Sequence, residues 1–232
     1  MTTTALTHLL IFDVDGTLLK NKTAVRDEFL GAFQDLTGVE VHPNSTQFAG
    51  MTDRGIVRRL LEIAKVETDY EAFFLRFEQR FGERLTAIYD AHPDPYILTG
   101  VVELLEALQG KEQVALALGT GNCRSTCQIK LDRFDLWRFF GAGGFGGEHE
   151  VRSDALRASV REAEENLGWQ GGTVWVIGDT VRDVIAGHEM GAKVMAVATG
   201  PDSVQQLLLA GADEVVADFS NPMAVMARMG VE

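Results

Sequence analysis

Four stretches of this chain are apolar without a break, at residues 9–12, 114–118, 174–177 and 194–198, and a shorter one runs over 214–216. Leu9, Leu10, Ile11 and Phe12 leave no position for a solvent-facing side chain, as in a strand buried on both faces of a parallel sheet. Between these runs the pattern changes to helical spacing, over residues 100–108, 124–134, 153–167, 181–189 and 203–209. Strands that alternate with helices predict an α/β domain whose parallel sheet carries helices on both faces.

One interval breaks the alternation. From Leu18 to about Pro95 no strand is expected, only helical periodicity. Val25, Phe29, Phe33 and Leu36 share one face, as do Ile56, Leu60 and Ile63. Phe73, Phe77, Phe81, Leu85 and Ile88 form a third stripe, opened by a capping box over Thr68-Asp69-Tyr70-Glu71. A phenylalanine stripe at this spacing reads as core, and Pro93 and Pro95 mark the return. The expected organisation is an α/β core of residues 1–18 and 95–232, with a helical cap of residues 19–94 over the end of the first strand.

A length of 232 residues accommodates one large domain with such an insertion. The net charge of -13, with no basic cluster against it, argues against nucleic acid or an anionic membrane as partner. No run approaches the roughly 18 apolar residues of a membrane span, and residues 1–7 lack a secretory pattern, so a cytoplasmic protein is expected. Cys123 and Cys127 share a helix at poor disulfide geometry and are expected to be packing thiols. His8, His42, His92, His149 and His188 show no metal spacing.

Candidate chemistry lies where the predicted strands end. The first stops at Asp13-Val14-Asp15-Gly16-Thr17, and Gly16 lets the backbone turn. Two carboxylates one residue apart can hold a divalent cation and leave one oxygen free to react. After the second strand, Gly119-Thr120-Gly121-Asn122 precedes a helix, as either an anion site or an N-cap with a tight turn. After residues 174–177, Gly178-Asp179-Thr180-Val181-Arg182-Asp183 supplies two carboxylates that suit Mg²⁺ or cap the next helix. Arg152, before the helix 153–167, is either a phosphate partner or a solvated charge.

In this order the motifs resemble those of the haloacid dehalogenase-like hydrolase superfamily. Asp13-Val14-Asp15-Gly16-Thr17-Leu18 resembles its first motif, Thr120 its second, Arg152 its third and the segment from Gly178 to Asp183 its fourth. Residues 178–200 are especially similar to phosphoglycolate phosphatase-like members, and the insertion resembles the superfamily's helical cap. The third motif usually offers lysine, and here Arg152 stands nearest. The resemblance implies a Rossmann-like core and a Mg²⁺-dependent phosphatase acting on a small phosphate monoester, of phosphoglycolate or sugar-phosphate type. It implies Asp13 as nucleophile, Asp15 as general acid and base, and a metal held by Asp13, the Asp15 carbonyl and Asp179, with Asp183 ligating it or orienting its waters. Thr120, Gly121, Asn122 and Arg152 would hold the phosphate. Dehalogenating members lack an acid at the position of Asp15, which favours phosphoryl transfer. Gly50-Met51-Thr52-Asp53-Arg54 resembles the loop by which related caps inspect substrate, so Thr52 and Arg54 are specificity candidates, with Asp53 a helix cap. Residues 23–64 contain no lysine for the Schiff base of phosphonate-cleaving relatives.

Two rival readings share this chemistry. A phosphomutase of the β-phosphoglucomutase type would pass the phosphoryl group to sugar beneath a closing cap. A phospho-accepting signalling module would use the same aspartates once, but such modules are about half this length and carry no helical insertion. The expected partner is a small phosphate ester, and the chain is expected to be a monomer or homodimer.

Overall fold

The computed structural model describes residues 5–21, 24–43, 48–91 and 96–231. The chain runs through β1 (His8–Phe12), β2 (Leu19–Lys20), α1 (Ala24–Thr37), α2 (Asp53–Ala64), α3 (Tyr70–Ala91) and β3 (Tyr96–Ile97). It continues through α4 (Val101–Gln109), β4 (Val114–Thr120), α5 (Arg124–Asp132), β5 (Ala142–Phe145) and α6 (Arg152–Leu167). The last elements are β6 (Thr173–Gly178), α7 (Val181–Glu189), β7 (Lys193–Val197), α8 (Val204–Leu209), β8 (Glu214–Val216) and α9 (Pro222–Arg228).

Six strands form a parallel sheet in the order β5-β4-β1-β6-β7-β8. β1 lies inside it, with Leu10 opposite Leu116 on one side and Trp175 on the other. Leu10 and Phe12 enter the cluster beneath α4 and α9, while Leu9 and Ile11 enter the one beneath α6 and α7. Both faces of β1 are therefore core, which is why its sequence shows no alternation. The chain builds outward from β1 through β4 and β5, then returns to β6 on its other side. That reversal opens a crevice at the carboxyl ends of these strands.

β5 was not expected, because Ala142-Gly143-Gly144-Phe145 has no β-branched residue. Packing explains the composition: a Cβ on Gly144 would stand 1.7 Å from the Ala155 carbonyl oxygen of α6. α9 was also missed, although Asn221 accepts from Ala224 N and Pro222 opens its first turn.

The helices α1, α2 and α3 bury a separate cluster built on Phe33, Leu60, Phe73, Phe77, Phe81 and Leu85. The phenylalanine stripe is core, as its spacing predicts. Three details differ from expectation. Ile63 is 45% exposed, because α2 packs mainly through Val57, Leu60 and Leu61. The start of α3 is capped by Asp69, whose carboxylate accepts from Ala72 N at 3.0 Å, while Glu71 pairs with Arg54. The interval also contains strand, since β2 and β3 pair antiparallel with Leu19 opposite Ile97. Residues 1–4, His92, Pro93 and Pro95 lie outside the described residues.

The helical cluster is closed onto the sheet ends. Asp53 N donates to Gly121 O at 2.6 Å and Arg54 N to Gly146 O at 3.2 Å. Among the described residues no helix is long and apolar enough to cross a membrane.

Candidate active site

β1 ends in a tight turn that aims its two aspartates differently. Asp13 N donates to Ile177 O at 2.9 Å and extends the ladder with β6, so the buried Asp13 side chain sits on a rigid strand end. Thr17, Leu18 and Leu19 N then all donate to Val14 O, which closes the turn. Gly16 takes φ +87°, and a Cβ there would lie 2.2 Å from Asp179 Oδ2. Glycine is needed both for the backbone and for the approach of the β6 end.

Asp13, Asp179 and Asp183 bring one carboxylate oxygen each within 4.8 Å of the others, and all three are buried. Asp179 Oδ1 accepts from Thr17 Oγ1 at 3.3 Å. Asp183 belongs to the capping box of α7: its Oδ2 accepts from Thr180 N at 3.0 Å and Thr180 Oγ1 at 2.7 Å. Capping and metal binding are thus compatible readings of this motif, since Asp183 Oδ1 points back to the cluster. Burial, with Asp183 and Asp15 nearby, raises the Asp13 carboxyl to about 6 against the pull of Arg152. Burial and the same like charges push Asp179 well above the carboxylate range.

Arg152 is the cation of this cluster. Its Nη2 lies 2.9 Å from Asp13 Oδ1 and 2.6 Å from Asp183 Oδ1. Burial opposes its charge, but Asp13 and Asp183 hold the guanidinium charged above its ordinary value. Its Nε is buried without a hydrogen-bond partner. One guanidinium among three buried carboxylates leaves a net negative site of oxygen ligands. A divalent cation fits that donor set.

Asp15 faces a different group of partners. Its Oδ2 accepts from Lys130 Nζ at 2.6 Å and Asn122 Nδ2 at 2.8 Å, and its Oδ1 accepts from Asn21. Burial would raise this carboxyl, but Lys130 and the amides override it and hold Asp15 below the usual range. Lys130 is 2% exposed. Burial works against its charge, and Asp15, Tyr89 and Asp53 raise its pKa regardless. Sequence reading missed Lys130 and Asn21. The signal for Lys130 was its place at helical spacing among Cys127 and Leu131, on the buried face of α5.

Thr120 ends β4, and its Oγ1 accepts from Asn122 N at 3.3 Å and Asn122 Nδ2 at 2.8 Å. In both contacts the hydroxyl is the acceptor, so its own proton can meet an anion. Asp13, Asp15, Thr120, Gly121, Asn122, Arg152 and Asp179 line one cavity of about 250 Å³. Asp183 stands behind it, through Arg152.

The loop candidates are placed otherwise. Thr52 is the N-cap of α2, accepting from Gly55 N at 3.0 Å and donating to Glu150 O at 2.8 Å. Arg54 pairs with Glu71, donates to Gly147 O at 3.2 Å and lies over the rings of Tyr70 and Phe74. Neither side chain lines a cavity beside Asp15. Asp53, expected to cap, is the residue that does. Its carboxylate accepts from Cys123 N at 2.9 Å across the gap between α2 and α5. Burial raises its pKa to about 6. Cys123 and Cys127 are buried free thiols, and His188 pairs with Asp213 at 3.1 Å far along the sheet.

Comparison with known proteins gives the family and the fold. The model of the haloacid dehalogenase-like hydrolase family matches residues 7–191. The phosphoglycolate phosphatase of Synechococcus elongatus is 28% identical over 222 residues, covering 95% of this chain and 97% of its own. The probable phosphatase IndB of Dickeya dadantii is 24% identical over 223 residues, covering 91% and 90%. A crystal structure of a predicted phosphatase from Clostridium acetobutylicum superposes with a TM-score of 0.70 at 20% identity, covering 97% of this chain and all of that one. At that identity the likeness shows the fold.

Proposed function

Since this chain belongs to the haloacid dehalogenase-like hydrolase family, we propose that it is a magnesium-dependent phosphatase of small phosphate monoesters, working through an aspartyl-phosphate on Asp13. The observation that carries the reading is the unequal treatment of two aspartates in one turn. Asp13 lies among carboxylates beside Arg152, whereas Asp15 is held by an ammonium and two amides. Sequence similarity to phosphatases along nearly the whole chain supports it.

In this scheme an Asp13 oxygen attacks phosphorus and the bond to the leaving oxygen breaks. Asp15, a carboxylate in the substrate-free protein, takes the proton of a monoanionic ester and passes it to that leaving oxygen. A water then attacks the same phosphorus, Asp15 accepts its proton, and the bond to Asp13 breaks to release inorganic phosphate. Thr120 Oγ1, backbone N–H groups around Gly121 and Asn122, and Arg152 would hold the equatorial oxygens. The orphaned Arg152 Nε supports this, because a buried guanidinium N–H calls for an acceptor. Asp13, Asp179 and Asp183, with the Asp15 carbonyl, would hold Mg²⁺. The ion would supply positive charge that offsets the crowded carboxylates and the phosphoryl oxygens.

On this reading residues 1–18 and 95–232 are the catalytic core and 19–94 the cap. The buried free thiols suit a reducing compartment such as the cytoplasm. The test is a panel of phosphate monoesters with Mg²⁺, scored as inorganic phosphate released over many turnovers and abolished by chelation. Isomerisation of a sugar 1-phosphate without phosphate release would indicate a mutase instead. A single stoichiometric phosphorylation would indicate a signalling module.

A further inference from the structure

A second cavity, of about 300 Å³, opens on the far side of Asp15. It shares Asp15, Phe48, Asp53, Ile56 and Asn122 with the cavity that holds Asp13 and Arg152. The Asp15 side chain lines both, and it is 38% exposed. A group that protonates a leaving oxygen must stand where phosphate and alcohol join. The alcohol therefore extends into the second cavity.

The walls of that cavity decide what fits. Val25, Phe29, Leu30, Phe48, Ile56 and Phe81 supply its apolar surface. Its polar groups are already engaged. Asn21 donates to Asp15 and accepts from Tyr89 Oη at 2.8 Å. Asn122 bonds Asp15, Thr120 and Lys130, and Asp53 accepts from Cys123 N. Of the cations that line it, Lys130 is held by a carboxylate and an amide, whereas Arg26 gives one N–H to a backbone carbonyl. Lys130 Nζ lies 2.6 Å from Asp15 and 2.7 Å from Asn122 Oδ1, and Arg26 Nη2 donates to Pro43 O at 2.5 Å. The Asp53 carboxylate on the same wall opposes an anionic group.

We propose that the substrate is the phosphate ester of an uncharged, largely apolar alcohol about the size of a benzyl or branched alkyl group, seated in this second cavity. The inference rests on the phosphatase reading and narrows it. Each methylene moved from water onto these walls is worth about fourfold in binding. A glycolate carboxylate would lie among apolar side chains with the Asp53 carboxylate against it, and Lys130 is already held by Asp15 and Asn122. A sugar would bury hydroxyls against rings and lose their hydrogen bonds to water.

The experiment compares kcat/KM of the full chain with Mg²⁺ for benzyl phosphate, isobutyl phosphate, 2-phosphoglycolate and glucose 6-phosphate, all esters of alkyl alcohols. The expected result is a preference of at least about tenfold for the first two. Val25→Arg, which places a cation on the cavity wall, is expected to cut the benzyl-to-glycolate ratio by about tenfold or more. Ile56→Ala, a smaller change, is expected to raise KM for benzyl phosphate about tenfold or more. Equal or preferred hydrolysis of phosphoglycolate or the sugar phosphate overturns this inference and leaves the phosphatase reading standing. An unchanged ratio in a folded Val25→Arg protein, with unchanged KM in Ile56→Ala, overturns the placement. Absence of turnover on every ester overturns both readings.

Discussion

The two cavities that meet at Asp15 are built on opposite principles. The one at the strand ends crowds three carboxylates around a buried arginine, with Phe48, Met51 and Ile56 of the inserted segment over them. The one beneath the helices is walled mainly by rings and branched side chains, with Lys130 held by Asp15 and Asn122 at its edge. The first is costly to bury and is held by the sheet, whose register fixes the aspartates. The second is part of a hydrophobic core and stabilises the fold it belongs to. On the proposed reading, reactivity would be concentrated on the sheet and selectivity on the inserted helices.

The sharpest way to break this contrast is to remove reactivity alone. Asp13→Asn is expected to lower kcat by roughly 10³-fold or more while leaving the fold intact. Its thermal midpoint should match or exceed that of the parent, because a buried carboxylate raised to about 6 is lost. Retained turnover would remove Asp13 from the nucleophile role.

The lysine that holds Asp15 should affect both sides. Lys130→Met strands the Asp15 carboxylate without its ammonium, and the expected loss is about 3–5 kcal/mol in urea unfolding. The remaining activity should fall further for alkyl than for nitrophenyl esters, since Asp15 would be misplaced for proton delivery. An equal loss on both ester types would make Lys130 purely structural.

Asp53 sharpens the comparison through pH. Its folded pKa of about 6 exceeds the ordinary 3.8, so the folded state binds the extra proton between these values. Stability therefore falls as pH rises from about 4 to about 6, by roughly 3 kcal/mol for this group. Asp53→Asn, which keeps an acceptor for Cys123 N, should flatten that fall relative to the parent in denaturation at stepped pH. Parallel curves would mean that Asp53 is not desolvated.

The smallest effect is expected at Arg54. Its partner Glu71 is 71% exposed, and solvent screening leaves such a pair little effect. Arg54→Ala should change kcat/KM less than about twofold, because the side chain faces Tyr70 and Phe74. A large rise in KM would return Arg54 to the substrate.

Which parts of this contrast were legible follows from the same physics. Strands buried on both faces announce themselves as unbroken apolar runs, so β1, β4, β6 and β7 were found within a residue or two of their ends. The charged groups at the ends of β1 and β6 stand at fixed offsets, which brought out Asp13, Asp15 and Asp179, whereas Arg152 was assigned to phosphate only by the family resemblance. Edge strand β5 was hidden because close helix packing demanded glycine there. Lys130 was hidden because burial of a lysine depends on a partner 115 residues away in sequence. At the start of α2, Thr52, Asp53 and Arg54 are adjacent in sequence but make different contacts, and spacing alone could not say which would face the cavity.

The short β2–β3 ribbon has an evolutionary consequence. Leu19 opposite Ile97 and Lys20 opposite Tyr96 bring the two ends of a long insertion side by side. An Asn-Gly pair joining Lys20 to Tyr96 would complete a two-residue hairpin at that point. The helices are therefore a cassette plugged into a hairpin tip. Exchange of that cassette between lineages would replace the pocket wall in one genetic event, with no change to the register of the sheet beneath it.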